Sequence, residues 1–251
     1  MFTVTTYNIL CKNYAFQARY PTIDPEILQW ANRKEALTEK ISSLDSDLFC
    51  LQEVSPGFCD HLKRLTQYER LYLAPQKGPQ SLLILYRRGK LKLLHHNSLY
   101  FERSGSGEGR WRPAQIAHFE IEGIEIGVIN THLCFDEVGE IAQVEIEELL
   151  REVVGPSGIE RWILCGDFNI VPSSGGIRAL REAGFRYTSE GAEQVTCSIE
   201  GFAETVDYIC YTAKTMGAVH HPSTEVREMA ALPRAGEPSD HLPVTGTLGF
   251  L

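Results

Sequence analysis

Short apolar or β-branched runs, most of them closed by a polar cluster or a turn, dominate this chain. They predict strands over Phe2–Tyr7, Leu48–Leu51, Leu71–Ala74, Leu82–Tyr86, Leu91–Phe101, Ala114–Ile121, Glu125–Asn130, Trp162–Cys165, Thr205–Tyr211 and Leu242–Leu248. Helical spacing is rarer. Asp24 as N-cap and Pro25 in the first turn open one helix that carries Ile27, Trp30, Leu37, Ile41 and Leu44. Ser55-Pro56 opens a second toward Leu65. Ala142, Ile146, Leu149, Leu150 and Val153 form the apolar stripe of a third, whose glutamates are expected to face water. Ile177 and Leu180 support a short fourth, and Ser104–Gly109 reads as a loop tip between two strands.

No repeat, low-complexity tract or Pro/Gly/Ser linker divides the chain, so residues 1–251 are expected to form a single domain. Strands with helices spliced between them predict an α/β domain built on two packed sheets. The hairpin-like neighbours Lys92–Phe101, Ala114–Ile121 and Glu125–Asn130 make those sheets mixed and largely antiparallel rather than doubly wound and parallel.

Charge narrows the partners. The 251 residues carry 24 Lys+Arg against 33 Asp+Glu, a net charge of -9, which argues against tight non-specific binding of long duplexes. The distribution is uneven. Arg87, Arg88, Lys90, Lys92, Arg103, Arg110 and Arg112 face only Glu102 and Glu108 across Tyr86–Arg112, whereas Pro113–Leu150 has no Lys or Arg and nine acids. The basic stretch is either a solvated strand edge or the border of a phosphate-binding cleft. Seven scattered cysteines with no CxxC spacing point to a reducing compartment. With no leader-like or membrane-spanning run, the chain is expected to be soluble, cytoplasmic or otherwise intracellular, with no membrane partner.

Six polar clusters end or interrupt the apolar runs. They are Tyr7-Asn8, Gln52-Glu53, Asn130-Thr131-His132, Asp167-Phe168-Asn169, Asp207 and Ser239-Asp240-His241. Any one alone reads as a cap or turn. Acids, amides and imidazoles at six strand ends of one small domain instead suggest a shared cleft at one sheet rim. A buried carboxylate such as Asp167 is costly unless a metal, a hydrogen bond or a catalytic task compensates it. The chemistry such a set supports is metal-assisted displacement at phosphorus. Glu53 and Asp240 are hard oxygen ligands suited to Mg²⁺. Asp167 can deprotonate a water. Asn8, Asn169, His132 and His241 can stabilise charge on phosphoryl oxygens. Neither a GxGxxG nor a Walker loop is present, so the nucleophile is expected to be water.

Thr6-Tyr7-Asn8-Ile9-Leu10, Leu51-Gln52-Glu53-Val54, Asn130-Thr131-His132-Leu133, Gly166-Asp167-Phe168-Asn169, Val206-Asp207-Tyr208-Ile209 and Pro238-Ser239-Asp240-His241 together resemble, in order and spacing, the endonuclease/exonuclease/phosphatase superfamily. The resemblance covers nearly the whole chain. It implies a single catalytic domain, a four-layer α/β sandwich of two β-sheets flanked by helices, with a Mg²⁺ site (Mn²⁺ able to substitute) at one rim. It further implies Glu53 as metal ligand with Asn8 and Asp240 beside the metal. Asp167 would be the water-activating base, and Asn169 and His132 phosphate contacts. His241 would be the imidazole at the scissile phosphate, oriented by Asp207.

Tyr7-Asn8-Ile9-Leu10-Cys11, Trp30-Ala31-Asn32-Arg33-Lys34 and Ile84-Leu85-Tyr86-Arg87 further resemble the carbon-catabolite-repression deadenylase, nocturnin and Angel branch. Phe202 matches that branch's base-stacking aromatic, although core packing is an equal reading. Arg112 is read either as a hairpin residue or as a phosphate contact. Glu137 stands where those deadenylases place a clamp proline, and Ile170 where they place a serine. The expected activity is a Mg²⁺-dependent 3′–5′ exoribonuclease of deadenylase type acting on single-stranded RNA. The alternatives are a phosphomonoesterase or cyclic phosphodiesterase on a small nucleotide, and a non-catalytic binding module on the same fold.

Overall fold

The computed structural model describes residues 1–79, 81–102, 112–222 and 231–251. In chain order, β1 (Phe2–Asn8) is followed by α1 (Pro25–Leu28), α2 (Trp30–Leu44), β2 (Leu48–Val54), α3 (Pro56–His61), β3 (Tyr68–Leu73) and β4 (Ser81–Arg87). Next come β5 (Lys92–Tyr100), β6 (Pro113–Ile121), β7 (Ile124–His132) and α4 (Glu140–Leu149), which ends in a π-turn. The chain continues through β8 (Trp162–Asp167), α5 (Gly175–Glu182), β9 (Phe185–Tyr187), β10 (Cys197–Ile199) and β11 (Phe202–Glu204). It closes with β12 (Asp207–Thr212), β13 (Met216–His221) and β14 (Val244–Phe250).

Among the described residues, two six-stranded sheets result, ordered β13-β14-β1-β2-β4-β3 and β5-β6-β7-β8-β12-β9, with β10-β11 as a small separate hairpin. Each large sheet contains a single parallel pair at its centre, β1–β2 in one and β7–β8 in the other; the remaining pairs are antiparallel. Three apolar seams make four layers. Leu37, Ile41 and Phe58 pack α2 and α3 onto the outer face of the first sheet. Val4, Cys50, Phe119, Val128, Cys165 and Ile209 fill the space between the sheets. Ala142, Ile146, Ile177 and Leu180 pack α4 and α5 against Trp162 and Tyr208 on the far face of the second. This is the α/β sandwich with two mixed, mostly antiparallel sheets that the sequence predicts. The seam between the sheets is apolar except near the rim. There Gln52 Nε2 donates to Asn130 Oδ1 at 2.8 Å across the gap, and both side chains are fully buried.

Four features depart from expectation. The helix predicted from Asp24 is two helices, because Gln29 adopts an extended conformation (φ -61°, ψ 127°) between Leu28 and Trp30. The glutamates of α4 do not all face water: Glu140 and Glu147 do, but Glu145 and Glu148 are buried, each accepting backbone N–H bonds, from Cys134 and Glu102 respectively. Backbone donors that no strand partner satisfies can recruit a carboxylate from a helix face, which an apolar-stripe argument does not see. β9, β10 and β11 are three residues long, too short to show a period, and β13 is rich in Gly, Ala and His. His95-His96 and His220-His221, which have no acid spacing beside them to suggest a metal and so read as solvent-facing loop or edge residues, do lie on the edge strands β5 and β13, but His96 and His220 are half-buried. The predicted loop tip Ser104–Gly109, with Arg103 and Arg110, lies outside the described residues.

Candidate active site

The two parallel pairs end side by side. Register places Asn8 opposite Gln52 in the first sheet, and His132 and Asp207 both opposite Asp167 in the second. Gly166 makes the second alignment feasible. A Cβ there would lie 2.0 Å from the Thr131 carbonyl oxygen, so only glycine lets β8 approach β7 this closely. Three non-glycine residues of the rim adopt left-handed conformations: Leu10 (φ 52°), Glu53 (φ 61°) and Asn169 (φ 54°). Such conformations cost about 1–3 kcal/mol each and persist where surrounding bonds impose them. At Glu53 the β2–β4 register shifts between Leu51 and Val54. Such an irregularity re-aims a side chain: Gln52 pins the two sheets together, whereas its neighbour Glu53 lines the cleft.

The polar groups form one connected set. Asn8 Nδ2 donates to Asp167 Oδ2 at 2.9 Å and lies 3.4 Å from Glu53 Oε1, while its Oδ1 accepts from Leu10 N–H. Glu53 Oε2 accepts from Cys11 N–H at 2.7 Å. Asp167 Oδ1 accepts from Asn169 N–H, and Oδ2 lies 3.4 Å from His132 Nε2 and 3.6 Å from His241 Nε2. Asn169 Nδ2 donates to Leu133 O. His241 Nδ1 donates to Asp207 Oδ2 at 2.8 Å. Asp240 Oδ2 accepts from the Tyr20 hydroxyl at 2.7 Å and lies 3.9 Å from Arg19.

Burial and neighbouring charge set the protonation states. Burial pushes the Glu53 carboxyl up to about 7, and Asp240 and Asp167 reinforce the rise against the Cys11 N–H bond and His241. Burial pushes His132 down to about 4, against the pull of Asp167, so its imidazole is neutral near pH 7. Burial acts the same way on His241, but the carboxylates of Asp207 and Asp167, with Cys197, outweigh it and hold this imidazole well above the ordinary histidine value.

Among the described residues, two groups could hold a cation. Asp167, Asp207 and His241 bring three ligand atoms within 4.8 Å of one another. His241 Nδ1 is already engaged by Asp207, however, so that trio reads more simply as an oriented imidazole between two carboxylates. Glu53 and Asp240 are a buried acid pair whose mutual repulsion raises Glu53, the situation a divalent cation relieves. The donor set beside it is all oxygen and amide, which fits a hard cation. These groups open into a cleft of about 560 Å³, walled by Phe135, Phe202, Ile199 and Tyr14 on its apolar side and by Arg19 and Arg112 among its cations.

The whole set falls within residues 5–241, which match the model of the endonuclease/exonuclease/phosphatase family. The chain belongs to that family. Among curated relatives, the CCR4-Not complex 3′-5′-exoribonuclease subunit Ccr4 of Candida albicans is 22% identical over 320 residues, covering 97% of this chain and 40% of that protein. Protein angel of Drosophila melanogaster is 29% identical over 198 residues, covering 71% of this chain and 55% of that protein. The chain therefore spans about half or less of these relatives' length. Among solved structures, ANGEL2, described as a 2′,3′-cyclic phosphatase, superposes with a TM-score of 0.83 at 22% identity, over 98% of this chain and 94% of that one. The family and the branch are those the sequence motifs resemble.

All ten residues singled out from the sequence line the cleft, except Asp207, which stands behind His241 at full burial. Phe202 is on β11 and 36% exposed, so it is a wall residue of this endonuclease/exonuclease/phosphatase cleft and not part of the core. Arg112 both lines the cleft and braces the β6–β7 end, its Nη1 donating to Leu133 O at 3.0 Å. Other contributors escaped sequence reasoning. Phe135 is 61% exposed and follows the motif His132 by three positions, where an aromatic closing a short apolar run just before two acids was the available signal. Tyr20 and Arg19 lie in a stretch without regular structure and carry no pattern. Arg33, buried on α2, donates to Pro238 O, Ile9 O and Leu10 O, and so holds together the segments that present Asn8 and Asp240.

Among the described residues, no helix is long and apolar enough to cross a membrane.

Proposed function

We propose that the protein is a Mg²⁺-dependent hydrolase of phosphate esters, folded as one catalytic domain over residues 1–251. Its preferred reaction is removal of nucleotides from the 3′ end of single-stranded RNA, as in a deadenylase. The observation that carries the reading is the environment of Asp167, whose Oδ2 sits among Asn8, His132 and His241 at the cleft floor. A carboxylate held by two donors and facing open volume is a general base in search of a proton. Glu53 and Asp240, with the remaining lone pair of Asn8 Oδ1, would hold the metal. The ion would supply Lewis-acid polarisation of a phosphoryl oxygen and neutralise the acid pair.

The chain's own residues do the rest. Asp167 takes the proton of the attacking water. His241 lies at the scissile phosphate, oriented through Nδ1 by Asp207, and donates to charge that accumulates there. Neutral His132 and the second amide hydrogen of Asn169 are further donors to phosphoryl oxygens. Phe202 offers a face for a nucleobase, and Arg112 a cation for a phosphate along the strand.

Likeness to ANGEL2, described as a 2′,3′-cyclic phosphatase, favours a second reading, hydrolysis of a terminal 2′,3′-cyclic phosphate. Glu137 supports it, since the clamp proline of the deadenylases is missing there. Both readings are tested by one panel: oligo(A)-tailed RNA, mixed RNA, single-stranded DNA, 2′,3′-cyclic nucleotides and nucleotide monoesters, each with Mg²⁺ and with EDTA. Shortening of the tailed RNA supports the first reading. Ring opening without shortening replaces it with the second, and no Mg²⁺-dependent product from any substrate removes both.

A further inference from the structure

Glu145 lies on α4, is fully buried and lines no part of the cleft. Its Oε2 accepts the backbone N–H of Cys134 at 2.7 Å, and its Oε1 has no hydrogen-bond partner among the described residues. What it holds leads to the cleft within one residue on either side. The carbonyl of Leu133 accepts from Asn169 Nδ2 at 2.9 Å and from Arg112 Nη1 at 3.0 Å. Phe135 is part of the apolar wall. The far end of this segment is tied separately, by Asp136 accepting from the Glu140 and Ile141 N–H groups at the start of α4. Leu133 N–H continues the ladder to Asp167 O at 2.9 Å, and Glu145 ties the next residue, Cys134, from inside the helix layer.

We propose that Glu145 is the positioning residue for the His132–Phe135 wall of the cleft, acting through the Cys134 N–H. This inference rests on the phosphoesterase reading of that cleft. A buried N–H deprived of its acceptor is expensive, so without Glu145 the segment rearranges to find another partner. The rearrangement carries Leu133 O, and with it Asn169 and Arg112, out of position. Glu145 touches neither substrate nor reacting atoms, so its effect is transmitted.

The tie also responds to pH. Burial pushes Glu145 up to about 7; the Cys134 N–H and Arg112 oppose the rise, and Glu148, along the same helix, and Asp136, in the adjoining loop, add to it. Below that value the acid is neutral and accepts a weaker hydrogen bond. Above it the carboxylate grips the N–H and attracts Arg112, so the wall tightens as pH rises.

The test uses the full chain with bis(4-nitrophenyl) phosphate and Mg²⁺, together with amide NMR of Cys134. Glu145→Gln keeps the acceptor and the shape. It should stay within about threefold of wild-type kcat/KM at pH 6 and lack the component of the wild-type rise between pH 6 and 8 that belongs to Glu145. Glu145→Ala should lose about tenfold or more in kcat/KM at a temperature well below its own Tm. The Cys134 amide shift should titrate near neutral pH in the wild type and not in Glu145→Gln. Wild-type kcat and KM in folded Glu145→Ala, or the same Cys134 titration in Glu145→Gln, would overturn the proposal. If the wild type hydrolyses no phosphate ester at all, the phosphoesterase reading fails, and the amide titration still decides whether Glu145 holds Cys134.

Discussion

Asp207 and His241 meet at 2.8 Å although 34 residues separate them, one at the start of β12 and the other in the segment before β14. Because the carboxylate can only accept, it fixes the proton on Nδ1 and turns Nε2 toward Asp167. Asp207→Asn should undo this, since it removes the charge that most raises the imidazole and leaves an amide that can itself donate to Nδ1 of the neutral ring. We expect kcat to fall by about 10²–10⁴ with little change in KM. Steady-state kinetics with a circular-dichroism check of folding measures it. A loss confined to KM would show that His241 only binds substrate.

Glu53→Gln should separate metal binding from chemistry. Removing one charge from the Glu53/Asp240 pair should raise the Mg²⁺ concentration for half-maximal rate by about tenfold or more. Saturating Mg²⁺ should raise the wild-type Tm, since the ion binds only the folded site, and raise that of Glu53→Gln less. EDTA should abolish turnover. An unchanged metal titration in Glu53→Gln would place the ion elsewhere, with the Asp167/Asp207/His241 trio as the first candidate.

Arg33→Lys tests the buried guanidinium behind the cleft. Three backbone carbonyls from two segments depend on its fork, and a lysine ammonium cannot reach them in the same geometry. The expected loss is about 3 kcal/mol, read as a fall in the urea midpoint. Neutral behaviour of this variant would mean that the carbonyls find other donors.

Asp47 supplies the pH dependence of stability away from the cleft. Burial would raise its carboxyl, but Lys90 and the Thr3 N–H and hydroxyl outweigh it and hold the folded value below the ordinary 3.8. A lowered folded value means the contribution is fully present above the unfolded value, about 4, and is lost as pH falls through the folded one. Asp47→Asn should therefore destabilise by about 1–3 kcal/mol at pH 7, with the gap to wild type closing below pH 3. Urea denaturation from pH 7 to pH 2.5 follows it. A gap that stays constant with pH would assign the effect to packing.

Much of this was legible along the chain, for identifiable reasons. Strands such as Trp162–Asp167 are apolar on both faces because they lie between two layers, and polar residues at their ends then stand out against the run. That contrast exposed Glu53, Asp167, Asn169, Asp240 and His241. It could not distinguish the cleft from the seam: Gln52 and Asn130 belong to the same motifs, yet they bond each other between the sheets. Direction along a strand is a matter of alternation and bulges, and the irregularity at Glu53 has no sequence mark. Long-range partners such as Tyr20 for Asp240, or Arg33 for Pro238, depend on how loops return to the rim, which no local pattern encodes. Glu145 and Glu148 break the rule that charge on a helix faces water, because backbone N–H groups of neighbouring segments draw their carboxylates inward.

The 2.9 Å contact from Asn8 to Asp167 joins side chains from opposite sheets. Each sheet is held internally by its ladder, whereas the alignment of one sheet on the other rests on an apolar seam and on a few polar ties near the rim, Gln52 to Asn130 and Asn130 to Leu51 O and Leu83 O. The cleft is consequently a gauge of sheet-to-sheet alignment, and a shift of about 1 Å there can cost about 100-fold in rate. Core positions far from any substrate, Cys50 and Cys165 among them, thus answer to a tighter demand than staying folded. A seam repacked so well that its melting temperature is preserved would still lose its chemistry if the sheets shifted, so the tolerance of the interior to change is set by the distance between two polar atoms at the rim.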